Sequence, residues 1–422
     1  MHQSQEKSSP GLQGELARRS EPPFDGDPKE AMEITLAQAD LAYALQTALS
    51  SVPSKSTLPI LQSVLLETSD GQLRLTGTDL EVTTSITIPC EAKKGGRAAV
   101  HARHFFDSIR KLPKGAVTLS EDDGRITVVY GGGKGKAQVP KLDDQDFPKQ
   151  PEIKPEGSIQ LDGVVLARLV ERTSYAVSSD ETRPVLNGLC VQVMDGNLTL
   201  VATDGHRLAR ARRAGSYQAL GDSFVVPGKT MANIGRLARE ATSPVEIGLA
   251  GAKNQAAFKT RVGAYDIVVY SRLLEGPYPN VEQVIPKTQT KSIVVGRAEI
   301  RDAIDRVSTH SDNITHQVRF ELSSDQVVLR VNTADYGAGE ERIEATYQGD
   351  SLTVGYNATY LLDILKSMDS ERVVFRLDKP TTAGVIEPEG GLSDKDEELL
   401  CLIMPLRLPE TAEAATAGAG RR

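Results

Sequence analysis

Short alternating strands followed by amphipathic helices recur three times along the chain. The first stretch reads MEITLAQADLAYALQTALSSV, the second GSIQLDGVVLARLVERTSYAVS, the third KSIVVGRAEIRDAIDRVSTHS. Apolar residues return at helical spacing in each: Leu41, Leu45 and Leu49, then Leu166, Val170 and less regularly Ser174, then Ile300, Ile304 and Val307. That spacing lays one apolar stripe down one helix face. A strand pair follows each helix, in LQSVLLETSDGQLRLTGTD, LNGLCVQVMDGNLTLVATD and VRFELSSDQVVLRVNTAD. Val/Leu alternation broken at Asp70-Gly71, Asp195-Gly196 and Ser324-Asp325 predicts three hairpins. Second helices are predicted in HARHFFDSIRKLP, PGKTMANIGRLAR and NATYLLDILKSM. Their apolar positions are Phe106, Ile109 and Leu112, then Met231, Ile234 and Leu237, then Leu361, Ile364 and Leu365.

One α+β unit, with two helices packed on antiparallel sheets, therefore occurs in three copies. Pro-rich or polar breaks near Lys154–Gly157 and Lys287–Thr290 divide the chain into domains at 31–153, 154–288 and 289–408. Residues 1–30 and 409–422 are polar or low in complexity and are expected to be disordered tails. Like units on short linkers curve into an arc, and an arc closes when two copies meet head to tail.

Hydrophobic residues make up 39% of the 422 and charged residues 25%. No apolar run approaches the roughly 18 residues of a membrane span, and the start lacks a secretory h-region. A cytoplasmic protein without a membrane partner is expected. Cys90, Cys190 and Cys401 lie far apart in apolar runs, which suits buried thiols rather than disulfides or metal ligands.

The net charge of -8 opposes nucleic acid binding unless the cations are gathered on one face. The polar helix sides do carry them: Arg103, Arg110 and Lys111, then Arg168, Arg172, Lys229, Arg236 and Arg239, then Arg301, Arg306 and Lys366. The acids cluster in turns such as SEDDG, KLDDQD and SDKDEE. A basic lumen within an acidic ring would reconcile the two.

Two motifs invite catalytic readings. Asp204-Gly205-His206 has no histidine counterpart at Asp79-Leu80-Glu81 and no nucleophile motif nearby, so it reads as a turn capped by Asp204. GGGKGK at 131–136 lacks phosphate-loop spacing and precedes a strand, so it reads as a hairpin loop. A hydrolase or transferase using Asp204 and His206, and an open protein-binding arc, are the competing classes. Neither predicts a dimer retained on circular DNA.

TLPIL at 57–61, TGTDLE at 76–81, RPVLNG at 183–188, VATDGHRLA at 201–209 and MPLRL at 404–408 resemble the bacterial sliding clamps, beta subunits of the replicative DNA polymerase. The resemblance covers about residues 31 to 408. It implies a head-to-tail homodimeric ring of six like domains around double-stranded DNA, with neither catalytic residues nor cofactor. Lys55, Arg103 and Lys229 match positions where the family touches DNA, whereas Pro184 and Gly228 depart from it. A peptide pocket between the second and third domains would be lined by Leu186, Thr203, Gly205, His206, Arg207 and Leu208. Pro279, Val284, Met404, Pro405, Leu406 and Arg407 would complete it, with arginine as a polar rim. Gln283, and the polar segment Thr309 to Thr315 where relatives place apolar interface residues, are further departures. The implied partners are the replicative DNA polymerase, an ATP-driven clamp loader, and repair and translesion enzymes.

Overall fold

The computed structural model describes residues 31–149, 157–221, 223–249 and 254–408. Both expected tails, and most of the first expected linker, lie outside them. The described residues form two compact units, one of residues 31–78 and 85–148, the other of 79–84 and the residues after 148.

In the first unit the strand Glu33–Ala37 leads into helix α1, Gln38–Ala48, and Gly96–His101 leads into helix α2, Ala102–Arg110. Five strands pair in the order Glu91–Lys94, Glu33–Ala37, Ala116–Asp122, Arg125–Tyr130, Gly135–Pro140. The hairpin Ser63–Ser69 with Gln72–Thr78 turns at Asp70 and Gly71, with φ of 50° and 76°. That is the left-handed pair a two-residue hairpin needs to match strand twist. The first four residues of GGGKGK form a hairpin loop, as the composition suggests, and its last two open the strand Gly135–Pro140.

The α2 stripe is shifted from expectation. Ala102, Phe105 and Ile109 are buried, while Phe106 is partly exposed beneath the Arg110 guanidinium, 5.6 Å from its ring centroid. Two adjacent phenylalanines fit a helical period in either phase, and packing against the sheet chose Phe105. Leu49 likewise falls beyond α1, in a 3-10 turn, and is only partly buried.

The second unit holds helices α3, Gly163–Ser174, α4, Gly228–Glu240, α5, Arg297–Ser308, and α6, Ala358–Lys366. Asp162 caps α3, its Oδ1 accepting from the Val164 and Val165 amides at 2.9 and 3.1 Å. A Cβ on Gly163 would lie 2.3 Å from the Ala238 carbonyl oxygen, so only glycine lets α3 start this close to the end of α4. Leu166, Val170, Met231, Ile234, Ile300, Ile304, Leu361 and Ile364 are buried as their stripes predict.

Twelve antiparallel strands run through this unit as one sheet. The strand Arg207–Arg213 from the second sequence repeat pairs with Glu397–Ile403 from the third, in register from Arg207 opposite Ile403 to Arg213 opposite Glu397. That ladder welds the two repeats by main-chain hydrogen bonds. The Asp195-Gly196 turn has φ of 50° and 75°, whereas Ser324 and Asp325 do not have positive φ. The third hairpin therefore turns by other geometry than the first two.

Candidate partner pocket and nucleic-acid face

The cation list from the helix faces divides in two. Lys55, Arg103 and Lys229 are exposed and, among the described residues, not ion-paired; Lys111 and Lys366 share that state. Arg168 and Arg172 differ, which corrects the expectation that they face a lumen. Arg172 is 4% exposed. Its guanidinium bonds Glu397 and reaches Asp369 at 3.0 Å. Arg168 bonds Glu397 and Asp394, and Arg213 reaches Asp394 at 2.7 Å. Three arginines of the second repeat thus converge on carboxylates of the third, around a Glu397 side chain with no exposure. Helical period alone cannot separate an arginine facing water from one facing a buried carboxylate more than 200 residues away. Arg110, Arg236, Arg239, Arg301 and Arg306 remain at the surface, each paired with a nearby acid.

The pocket candidates lie where the twelve-stranded sheet crosses from the second repeat to the third. Asp204 Oδ1 accepts from the His206 and Arg207 amides at 2.8 and 2.9 Å, which sets the turn before the strand. Thr203 Oγ1 donates to the Arg207 carbonyl at 2.7 Å and accepts from the Gly205 amide. Gly205 has φ of +91°, and a Cβ there would meet the Arg183 guanidinium at 2.9 Å. Asp204 and His206 thus occupy a hydrogen-bonded turn, the role the turn reading assigned to Asp204. Across the seam, the Met404 amide donates to the His206 carbonyl at 2.8 Å, and the Leu406 amide donates to that of Gly355.

Behind the turn, Leu208 packs with Cys190, Val201, Val225, Val281 and Leu402. Leu186 is buried too, on a 3-10 turn that Arg183 ties to the Asp204 carbonyl at 3.2 Å. In front, Val284 is 57% and Met404 40% exposed, with Gly205, His206, Pro279 and Arg407 also open to solvent. Large exposed apolar side chains beside a buried apolar floor make a surface suited to an apolar peptide anchor.

Arg207 is not the polar rim expected of it. Its side chain is 11% exposed and bonds Asp363 at 2.6 Å and Asp204 at 3.1 Å. Its guanidinium lies over the Tyr360 ring at 4.3 Å and the Tyr175 ring at 5.4 Å. Two carboxylates and two aromatic faces hold it between α3 and α6, so Arg207 stiffens the wall. Arg407 and Arg183 are the arginines left near the surface. Tyr175, Tyr360 and Asp363 escaped the sequence reading, because nothing local marks them, and Glu397, counted there among the turn acids of SDKDEE, is instead the buried first residue of a strand.

Burial pushes the Cys190 thiol up to about 11 and the Cys401 thiol up to about 12. Thiols so protonated are poor nucleophiles. Among the described residues no group of three or more His, Cys, Asp or Glu could hold a metal ion. No helix there is long and apolar enough to cross a membrane.

Comparison with known proteins defines the class first: each of the three modules matches a clamp-domain model. They are the N-terminal, central and C-terminal domains of the DNA polymerase III beta subunit, over residues 32–151, 160–280 and 282–407. The beta sliding clamp of Pseudomonas putida is 30% identical over 380 residues, covering 89% of this chain and 100% of that protein. That of Staphylococcus epidermidis is 28% identical, with 89% and 99% covered. Among solved structures, a sliding clamp of Bartonella birtlesii bound to griselimycin superposes with a TM-score of 0.82 at 30% identity, covering 90% of this chain and 100% of that one. The Bacillus subtilis sliding clamp gives 0.82 at 26% identity, with 90% and 100% covered. The chain belongs to the DNA polymerase III beta subunit family, the bacterial beta sliding clamps.

Proposed function

We propose that two copies of this chain close head to tail into a ring that encircles duplex DNA and tethers replication proteins, without catalysing a reaction. The threefold repetition of one module, at 31–153, 154–288 and 289–408, carries this reading. Two copies would bring twelve helices to the hole. At about 8–10 Å between neighbours their axes trace a circle roughly 32–38 Å across, wide enough for B-form DNA and water inside. Lys55, Arg103 and Lys229, exposed and unpaired, would attract phosphates loosely, as retention by topology requires. Tight neutralisation would make binding strongly salt-dependent and stop sliding.

Two open sheet edges of opposite charge support the ring. Among the described residues Gly135–Pro140 pairs on one side only, with exposed Lys134 before it and exposed Lys136 within it. In the third repeat, Gly337 to Glu344 pair, among the described residues, only with Gln326–Thr333, and that stretch carries Glu340, Glu341 and Glu344 against one cation, Arg342. Unlike edges from two copies can pair as antiparallel strands, whereas left open they invite disordered association. Close by, Ile314 is 91% exposed at the tip of a turn braced by Asp312, with Tyr336 at 47%. An exposed isoleucine on a rigid turn fits the same seam.

The pocket around Leu208, Val284 and Met404 would take short apolar segments of the replicative polymerase, an ATP-driven loader, and repair and translesion enzymes. Such a clamp works in the cytoplasm.

The loaded protein should stay on nicked circular DNA through gel filtration and slide off once the circle is cut. Equal retention on both forms would contradict encirclement. Replacing Met404 and Leu208 together by alanine should weaken griselimycin and polymerase-peptide binding by more than about 30-fold, since it removes about 2 kcal/mol or more of apolar contact. Unchanged affinity in fluorescence anisotropy would remove the pocket assignment.

A further inference from the structure

The internal repeat allows the pocket floor to be compared with a counterpart in the same chain. In the first module a small cluster joins Leu65, Ala99 and Phe147, with Ile60 and Leu142 against it. In the second module the corresponding positions hold Cys190, Val225 and Tyr278, with Val185 and Leu274. The parallel extends to the backbone, where the Leu142 amide donates to Ala99 and the Leu274 amide to Val225. Leucine plus phenylalanine has become cysteine plus tyrosine. The shorter side chain makes room for the added hydroxyl.

That hydroxyl is poorly served. Among the described residues nothing accepts a hydrogen bond from the Tyr278 hydroxyl, although the atom is shut off from solvent. The nearby Cys190 thiol bonds Ser223 instead. Burial, with Cys190 and Asp204 acting in the same direction, pushes the phenol well above its ordinary range, and a hydrogen bond from the Thr203 backbone to the phenol oxygen opposes this. A buried hydroxyl without an acceptor is costly, and phenylalanine would avoid the cost. Phe147, 3% exposed, does so in the first module. The tyrosine ring packs in the same cluster as Leu208 and Val281, and exposed Pro279 follows it in the chain.

We propose that Tyr278 is the hydrogen-bond donor of this pocket, its O–H held without an acceptor in the wall and satisfied by a carbonyl oxygen of the bound peptide. An apolar anchor entering over Leu208 displaces the ring, and the hydroxyl turns to the ligand. The pocket therefore discriminates by a polar contact as well as by apolar fit, favouring peptides that carry an acceptor beside the anchor. A donor that waits in a desolvated wall has little water to give up, so its bond to a ligand contributes more than one at the rim.

The inference rests on the pocket reading above, and the test separates the two. Full-length protein and its Tyr278→Phe variant are compared for thermal midpoint alone and for griselimycin affinity by isothermal titration. Met404→Ala/Leu208→Ala serves as a pocket control. The expected result is a Tyr278→Phe midpoint unchanged or raised by a few degrees, with griselimycin bound about five- to tenfold more weakly, the loss of one hydrogen bond. Unchanged Tyr278→Phe affinity beside a weakened control would overturn the donor role and leave the pocket standing. A fall in both midpoint and affinity would make the hydroxyl structural and overturn it too. If the control also binds normally, the pocket reading fails and takes this one with it.

Discussion

Glu397→Ala is expected to cost about 3–5 kcal/mol of stability, because it strips the shared acceptor from a buried cluster of arginines. The Glu397 side chain is wholly buried, and both Arg168 and Arg172 bond it. Without it Arg172, whose side chain is 5% exposed, keeps only Asp369. The thermal midpoint should fall by on the order of 10 °C for a unit of this size. Arg212→Ala is the contrast. Its contact with Glu398 spans 3.6 Å, with side chains 41% and 69% exposed, so the loss should stay below about 1 kcal/mol. A Glu397→Ala protein that melts with the wild type would show that the strand ladder alone joins the two repeats.

Acid should act on the same cluster. Partial burial pushes the Asp369 and Asp394 carboxyls up, but Ser393 and Arg172 for the former, and the Asp396 amide and Arg213 for the latter, hold both below their ordinary value of 3.8. A carboxylate depressed by folding adds stability that is complete above its unfolded pKa and lost as pH falls through the folded one. The decline therefore begins near pH 4 and runs downward.

The second large effect is expected at the proposed seam. Ile314→Asp should weaken self-association at least about 100-fold, since burying an isoleucine contributes roughly 1.5–3 kcal/mol and an unpaired interfacial carboxylate adds its own penalty. The fold of each copy should be untouched, because the side chain is 91% exposed and its turn is held by Asp312. Sedimentation velocity would show monomers where the parent protein forms dimers, with an unchanged far-UV spectrum. Dimers that persist at the parental concentration would place the seam elsewhere. Loss of the dimer should carry with it the retention on circular DNA.

These predictions differ in how far the chain itself announces them. Leu166, Val170, Ile300 and Ile304 are buried where their period puts them, because a helix face is set by local geometry. The Asp-Gly turns are equally local, and two of the three hairpins adopt left-handed φ at those residues. Phe105 and Phe106 show the limit of period, since neighbouring aromatics fit either phase. Arg172 shows a deeper one. Its motif, on the polar side of an amphipathic helix, matches that of a solvated cation, and its partner Glu397 is 225 residues distant.

The same division runs through the proposed pocket. TDGHRL and MPLRL mark it in sequence, and the Asp204 turn follows from short-range hydrogen bonds that any such stretch can make. That Arg207 lies between Tyr175 and Tyr360, and that Tyr278 hides a hydroxyl, depends on residues brought together from several elements.

The repeat, its helices and hairpins, and membership of the clamp family were written in the sequence, because period, turn chemistry and motif act over a few residues at a time. Which arginines face solvent, which wall is rigid and which hydroxyl lacks an acceptor were decided only by tertiary packing. Burial and charge pairing are properties of neighbours in space, and a linear pattern does not name them.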